Sequence, residues 1–236
     1  MRASLAPLAL SACAGPLSTL EPSGPSAQAI ATVWWWMLGA STLVLLAVVA
    51  LWLLAMRSRR DHAPEQARRV GRRWLVGGGL LLPTAAIVAL VVFGSPAGLH
   101  QLPLPGRANA DAGGPPLRID VHARQWAWEL HYPEAGVRLE NELRLPVGRT
   151  VDLHVSSGDV IHSFWVPRLG GKLDAIPGRV QVVRLRADEA GRFLGQCAEF
   201  CGLGHAHMRM EVHAMPPQAF AEWLQARRGE SSGGTR

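Results

Sequence analysis

No CxxCH run occurs in these 236 residues, so they offer no site for covalent haem, and three cysteines are too few for a disulfide framework. Internal repeats are missing too, which excludes solenoids and propellers. Charge is absent from two long stretches, the 23 residues Trp34 to Met56 and the 20 residues Trp74 to Phe93. As helices these runs are about 35 Å and about 30 Å long, enough to cross a ~30 Å hydrocarbon core. Pro83 and Gly77 to Gly79 interrupt the second run, but membrane helices tolerate both residue types. The two runs predict a transmembrane hairpin, with spans at 34–56 and 74–93. Net charge is nearly absent beyond it: residues 94–236 carry 16 basic and 15 acidic side chains, a net of +1, which gives nucleic acid nothing to bind.

The charge that is present sits between the spans. RSRRDHAPEQARRVGRR holds seven Arg against Asp61 and Glu65, a net of +5, and the positive-inside rule puts this loop in the cytoplasm. Both termini then lie outside. Trp34 to Trp36 and Trp74 suit the outer and inner interfacial belts, while Trp52 faces lipid or packs. The opening MRASLAPLALSAC resembles a short bacterial lipoprotein signal, with Leu10, Ser11 and Ala12 before Cys13 as in a lipobox; a plain signal peptide or an uncleaved tail is the alternative.

Residues 1–29 therefore read as a lipoprotein-like signal followed by a Pro, Ser and Gly-rich external tether that needs no fold of its own, and 30–94 as the hairpin. A second breaker-rich linker covers 95–116. From Leu117 the pattern alternates with period two: Ile119, Val121, Trp126, Trp128, Leu130 and Tyr132, then Val151, Leu153 and Val155, then Val180, Val182, Val183 and Leu185. Shorter runs near 137–145, 160–166, 192–196 and 208–213 bring the total to eight or so strands, which predicts a Greek-key β-sandwich over 117–215. PPQAFAEWLQARR predicts a terminal helix from Pro217 within 216–236.

Chemistry concentrates in GQCAEFCGLGHAHM, where Cys197, Cys201, His205 and Met208 fall within twelve residues. Thiolate, imidazole and thioether together suit copper better than zinc, magnesium or calcium. Two cysteines with three residues between them can aim both sulfurs at one place, and each thiolate can bridge two metals, so the run predicts a copper pair. Each copper needs a terminal imidazole. His205 supplies one, and His162 in DVIHSFWVP, on an apolar β-branched run 35 residues before Cys197, is the best source of the other. A Cys2His2 zinc site or a redox disulfide are the competing readings. Zinc has no use for Met208, and no βαβ pattern surrounds the cysteine pair as a thioredoxin-like motif requires. The spacing of His207 from Met208 is wrong for converging on the same copper.

With hairpin, sandwich and ligand run assembled, the chain resembles subunit II of a bacterial cytochrome c oxidase of the haem-copper family over roughly residues 30–225. CAEFCGLGHAHM, DVIHSFWVPRLGGKLDAIPGR and RQWAWELHYP carry the resemblance. It implies a cupredoxin domain with a dinuclear copper A centre: Cys197 and Cys201 bridge, His162 and Met208 complete one copper, and His205 with the Glu199 carbonyl completes the other. It further implies that the Glu199 carboxylate reaches a magnesium or manganese ion shared with subunit I, and that electrons enter from cytochrome c at Trp126. Pattern alone does not separate Trp126 from Trp128. The implied function is acceptance of electrons from cytochrome c and their delivery to the haem of subunit I, for oxygen reduction coupled to proton pumping. The implied location is the bacterial inner membrane, with the copper domain on the periplasmic side and the other oxidase subunits as partners. Where many relatives carry an acidic residue at the cytoplasmic start of the second span, this sequence has Arg72, Arg73, Trp74, Leu75 and Val76, which argues against proton uptake there. Without a CxxCH motif, the donor is expected to be a separate protein.

Three other readings share parts of this pattern. A quinol oxidase subunit II has hairpin and sandwich but normally lacks the copper ligands. A copper A subunit of a nitrous oxide or nitric oxide reductase shares the ligands, although the first is typically soluble. A membrane-anchored copper-delivery protein would release its metal and needs a labile site with fewer ligands.

Overall fold

The computed structural model describes residues 14–57, 63–99, 101–103 and 115–233, so the lipobox at Cys13 lies outside the described residues. The chain divides into two compact units, Thr32–Leu99 and the remainder. In the first, α1 (Pro25–Arg57) passes through the apolar run, and a second long helix is built of α2 (Pro64–Val76), one π-helical segment (Gly77–Leu81) and α3 (Leu82–Leu99). Both helices begin on proline, whose missing N–H costs nothing in the first turn. They run past the stretches 34–56 and 74–93 because 25–33 and Arg57 continue the first helix and 64–73 and 94–99 continue the second.

The π segment has a local cause. Pro83 has no amide hydrogen and crowds the carbonyl four residues back, so the helix takes up an extra residue across three glycines. The Leu82 amide then donates to Gly77 O. Side chains on both helices, Trp35, Leu45, Leu54, Ile87 and Val91 among them, are exposed within the described protein. Over these runs the helices are apolar on every side and long enough to cross a membrane, which suits a hydrocarbon solvent.

Ten strands form the sandwich: β1 (Leu117–Arg124), β2 (Ala127–Tyr132), β3 (Val137–Glu140), β4 (Glu142–Pro146), β5 (Val151–Ser157), β6 (His162–Trp165), β7 (Leu173–Ala175), β8 (Gln181–Leu185), β9 (Gly191–Cys197) and β10 (Arg209–Met215). One sheet runs β3-β2-β1-β5-β8 and the other β4-β10-β9-β6-β7, with β1–β5 and β4–β10 parallel. Alternation sets the faces. Leu117, Ile119, Val121 and Ala123 of β1 and Val151, Leu153 and Val155 of β5 point inward against Leu143, Leu145, Phe164 and Val212 of the facing sheet. The terminal helix α4 (Pro217–Gly233) starts at the expected proline and packs Phe220 and Trp223 on Tyr132.

Two details depart from the alternation pattern. The run expected over 137–145 is two strands in different sheets, because Asn141 takes a left-handed conformation, φ 56°, and sends the chain across. Its side-chain oxygen accepts from the Trp128 amide at 2.8 Å, and its carbonyl accepts from the Glu211 amide at 2.9 Å, so one residue ties both sheets. Strand β7, three residues long, is too short to leave a periodic signal.

The segment before α1, expected as a tether without a fold, is bound to the sandwich. The Ser23 amide donates to Arg168 O and its carbonyl accepts from the Asp188 amide, while the Arg168 guanidinium donates to Glu21 O and Ser23 Oγ. Gly24 makes this approach possible, since a Cβ there would stand 2.2 Å from Arg186 O.

Candidate metal centre

The candidate ligand residues come from two places that the second sheet makes adjacent. β9 ends at Cys197 and β10 begins just after Met208, and the Cys197 amide donates to Met208 O at 2.9 Å, closing the base of the loop between them. β6 lies beside β9, with Phe164 opposite Cys197 and the Ala198 amide donating to Ser163 O. That register carries His162 to the loop.

The donor atoms converge. Cys197 Sγ and Cys201 Sγ are 3.8 Å apart, His162 Nδ1 is 3.9 Å from the first, and His205 Nδ1 is 3.6 Å from the second. Met208 Sδ lies 3.8 Å from Cys201 Sγ, and the Glu199 carbonyl lies 3.2 Å from Cys197 Sγ. Both cysteines are free thiols. A tetrahedral metal bound about 2.3 Å from each of two sulfurs holds them about 3.8 Å apart, so this spacing suits metal bridging. His162, Cys197, Cys201 and Met208 are buried and His205 is half-buried, while His207, on the same short turn, is exposed. Burial first, and then the neighbouring Cys197, push the Cys201 thiol up to about 12. A thiolate in this setting needs a bound cation beside it, and metal binding must release protons.

Asp159, which sequence reading passed over, organises the outer side. Its carboxylate accepts from His162 Nε2 at 2.8 Å, the Gln125 amide at 2.7 Å and the Val160 amide at 2.6 Å. Burial acts to raise this carboxyl, but the hydrogen bonds from His162, Gln125 and Val160 outweigh it and hold it down to about 2. The stability it contributes is present above its ordinary 3.8 and is lost as pH falls from there through about 2. By accepting the hydrogen bond of Nε2–H, Asp159 leaves the Nδ1 lone pair of His162 facing the sulfurs. The only hint in the sequence is an acid three residues before the histidine.

The two tryptophans part here. Trp126 is 40% exposed and Trp128 is 0% exposed. Trp126 Nε1 donates to Cys201 O at 3.1 Å, joined there by Gln125 Nε2 at 2.8 Å. Its ring lies flat against the ligand loop, where a Cβ on Gly204 would come within 2.3 Å of it. Trp128 is core, packed edge-on to Phe164 and His162, and its Nε1 has no partner among the described residues. Around the loop, Phe200 and Leu203 are 76% and 96% exposed. The Glu199 carboxylate points away to the surface, 3.6 Å from Lys172 Nζ.

Residues 135–215 match a family model described as cytochrome c oxidase subunit II, periplasmic domain. The chain is 31% identical over 231 residues to the cytochrome c oxidase subunit 2 of Alkalihalophilus pseudofirmus, covering 94% of this chain and 66% of that protein. It is 39% identical over 121 residues to the cytochrome c oxidase subunit 2 of Synechocystis, covering 51% of this chain and 36% of that one. It thus spans between about a third and about two thirds of the length of these curated relatives. Among solved structures, the periplasmic domain of subunit II of the cytochrome oxidase of Bradyrhizobium japonicum is 32% identical with a TM-score of 0.47, over 48% of this chain and 94% of that one.

Proposed function

Because the chain belongs to the cytochrome c oxidase subunit II family, we propose that it is the electron-entry subunit of a membrane oxidase, taking electrons from cytochrome c at a copper A centre and passing them to the haem of subunit I. The observation that carries this reading is the convergence of two thiols 3.8 Å apart with an imidazole Nδ1 beside each and a buried thioether. Such a donor set is wasted on zinc, which has no use for Met208 Sδ. A quinol oxidase subunit would share the hairpin and sandwich without needing these ligands. When bound, a copper pair sharing one valence electron across two thiolates supplies one-electron transfer with little reorganisation.

This chain's residues do the rest. The Cys197–Met208 backbone bond and the sandwich beneath it hold the donors at fixed separations. His162, the thiols and Met208 are shut off from water, which keeps the surroundings rigid and apolar. Trp126 links the outer surface to the backbone of Cys201, and exposed Phe200 and Leu203 beside it offer an apolar contact for a partner protein. The Glu199 carbonyl faces the thiols while its carboxylate is free to meet a magnesium or manganese ion at the boundary with subunit I, once Lys172 gives it up. The arginine-rich loop lies in the cytoplasm, so both termini and the sandwich face the periplasm.

The test is spectroscopic: the full chain in detergent, loaded with copper, is expected to turn purple and to give a seven-line hyperfine pattern with two coppers per chain. A four-line spectrum or one copper per chain removes the reading. Met208→Leu is expected to keep the copper pair but shift its potential and slow electron flow onward; unchanged spectrum, potential and turnover would make Met208 mere core. Asp159→Ala frees the outer nitrogen of His162 and is expected to weaken copper binding about 10–100-fold. Competition against a chelator of known affinity measures it, and an unchanged affinity would strip Asp159 of its orienting role.

A further inference from the structure

The start of the second long helix carries a pattern that electron transfer leaves unused. Glu65, Arg68, Arg69, Arg72 and Arg73 of α2 stand at i, i+3, i+4, i+7 and i+8, so all five share one side of the helix, and Ala67, Val70, Gly71 and Trp74 take the other. Every one of these residues is exposed. Glu65 neutralises one guanidinium, its carboxylate lying 2.6 Å from Arg69 Nη2. Among the described residues, Arg68, Arg72 and Arg73 have no acidic partner.

Position along the helix identifies the missing counter-charge. Arg72 and Arg73 directly precede Trp74, and no charge follows before Leu99. Tryptophan at the end of an apolar span sits at headgroup level, so these two arginines stand at the depth of lipid phosphates, with Arg68 and Arg69 about 6 Å farther out. Leu75 and Val76, at i+3 and i+4 from Arg72, continue the same side as exposed apolar surface, 74% and 42% exposed. Charge above and hydrocarbon below on one helix side match a phosphodiester with its acyl chains. Guanidinium, planar and always charged, binds phosphate oxygens two at a time.

We propose that the Arg68, Arg72 and Arg73 side of α2 is a binding site for the headgroup of an anionic phospholipid. The inference rests on the hairpin crossing a bilayer, not on the copper centre. Its test uses the full copper-loaded chain in phosphatidylcholine vesicles containing a few mole per cent of spin-labelled phosphatidylglycerol, where the immobilised fraction reports lipid held at the protein. At about fivefold per arginine, phosphatidylglycerol is expected to be preferred over labelled phosphatidylcholine by up to roughly a hundredfold at low salt. The triple variant Arg68→Gln, Arg72→Gln, Arg73→Gln is expected to lose that preference while keeping the purple absorption that reports an intact sandwich. Arg118→Gln, on the sandwich, should leave it unchanged. Equal retention of both lipids by the unmodified chain, an undiminished preference in the triple variant, or abolition by millimolar inorganic phosphate each overturns the proposal. Failure of the chain to enter the vesicles would overturn the membrane anchor with it, whereas absence of the purple absorption from the unmodified chain, its lipid preference intact and lost in the triple variant, would count only against the copper reading.

Discussion

Cys197→Ser and Cys201→Ser are each expected to abolish the purple pair and stop oxidation of cytochrome c. Each sulfur has the other at 3.8 Å and an imidazole nitrogen at 3.9 or 3.6 Å, so each is placed to serve two metals at once. A serine hydroxyl keeps nearly the same volume, but it is a hard oxygen with a much higher pKa, and it does not bridge copper as a thiolate does. One metal at most should remain, held by the surviving thiol and the nearer histidine. The sandwich should survive, because the bond that closes the loop runs from the backbone of Cys197 to Met208 O and a serine makes it equally well. Metal content, electron paramagnetic resonance and turnover are to be measured on the same preparation. Two coppers per chain with an unaltered spectrum would sink the bridging assignment for that residue.

Trp126→Ala should leave the copper spectrum intact and slow reduction by cytochrome c by orders of magnitude. The indole is exposed on one side and hydrogen bonded to the backbone of a ligand on the other, so removing it deletes the contact surface and the short route inward together. Trp128→Ala should fail differently. Emptying a fully buried indole from between Phe164 and His162 costs on the order of 3–5 kcal/mol, and the loss should appear as a lower melting temperature and poorer copper retention. Gly204→Ala is the sharper control, since its Cβ would collide with the Trp126 ring at 2.3 Å and push the ring off the loop without deleting it. Stopped-flow reduction of the three variants by reduced cytochrome c, at several ionic strengths, separates these effects. If Trp128→Ala keeps its stability and is the slow one, or if Trp126→Ala reacts like the unmodified chain, the entry point lies elsewhere.

Much of this molecule can be read from local pattern. Two uncharged runs already require a hydrocarbon solvent, because no folded core of this size could bury both, and the helices outrun them at both ends, over 25–33 and Arg57 in the first and over 64–73 and 94–99 in the second. Period-two alternation and short apolar runs marked eight strand positions, of which 137–145 holds two strands, and only β7 left no signal. The ligand run could be read because its donors are close in sequence and chemically unusual. The distant His162 stands out because copper chemistry asks for a second imidazole and the strand around it is apolar, and the fold brings its Nδ1 to 3.9 Å from Cys197 Sγ.

Tertiary structure alone decided what depends on residues far apart in the chain. Alternation gives Trp126 and Trp128 the same parity, and they part only because Trp126 sits at the turn before β2, where its ring swings out over Gly202 and Gly204 while Trp128 stays in the ladder. The role of Asp159 exists only once Gln125, 34 residues earlier, is folded against it. The hold of Arg168 on Glu21 and Ser23 spans some 145 residues and rests on one backbone carbonyl and one serine hydroxyl that no periodic pattern announces. Sequence by itself determined the two apolar helices, the sandwich and the candidate donor set, because hydropathy and ligand chemistry are properties of residue types. Which indole is exposed, which acid bonds the histidine and how the segment before the first helix is tied to the sandwich were decided by packing, because those are properties of distances between residues.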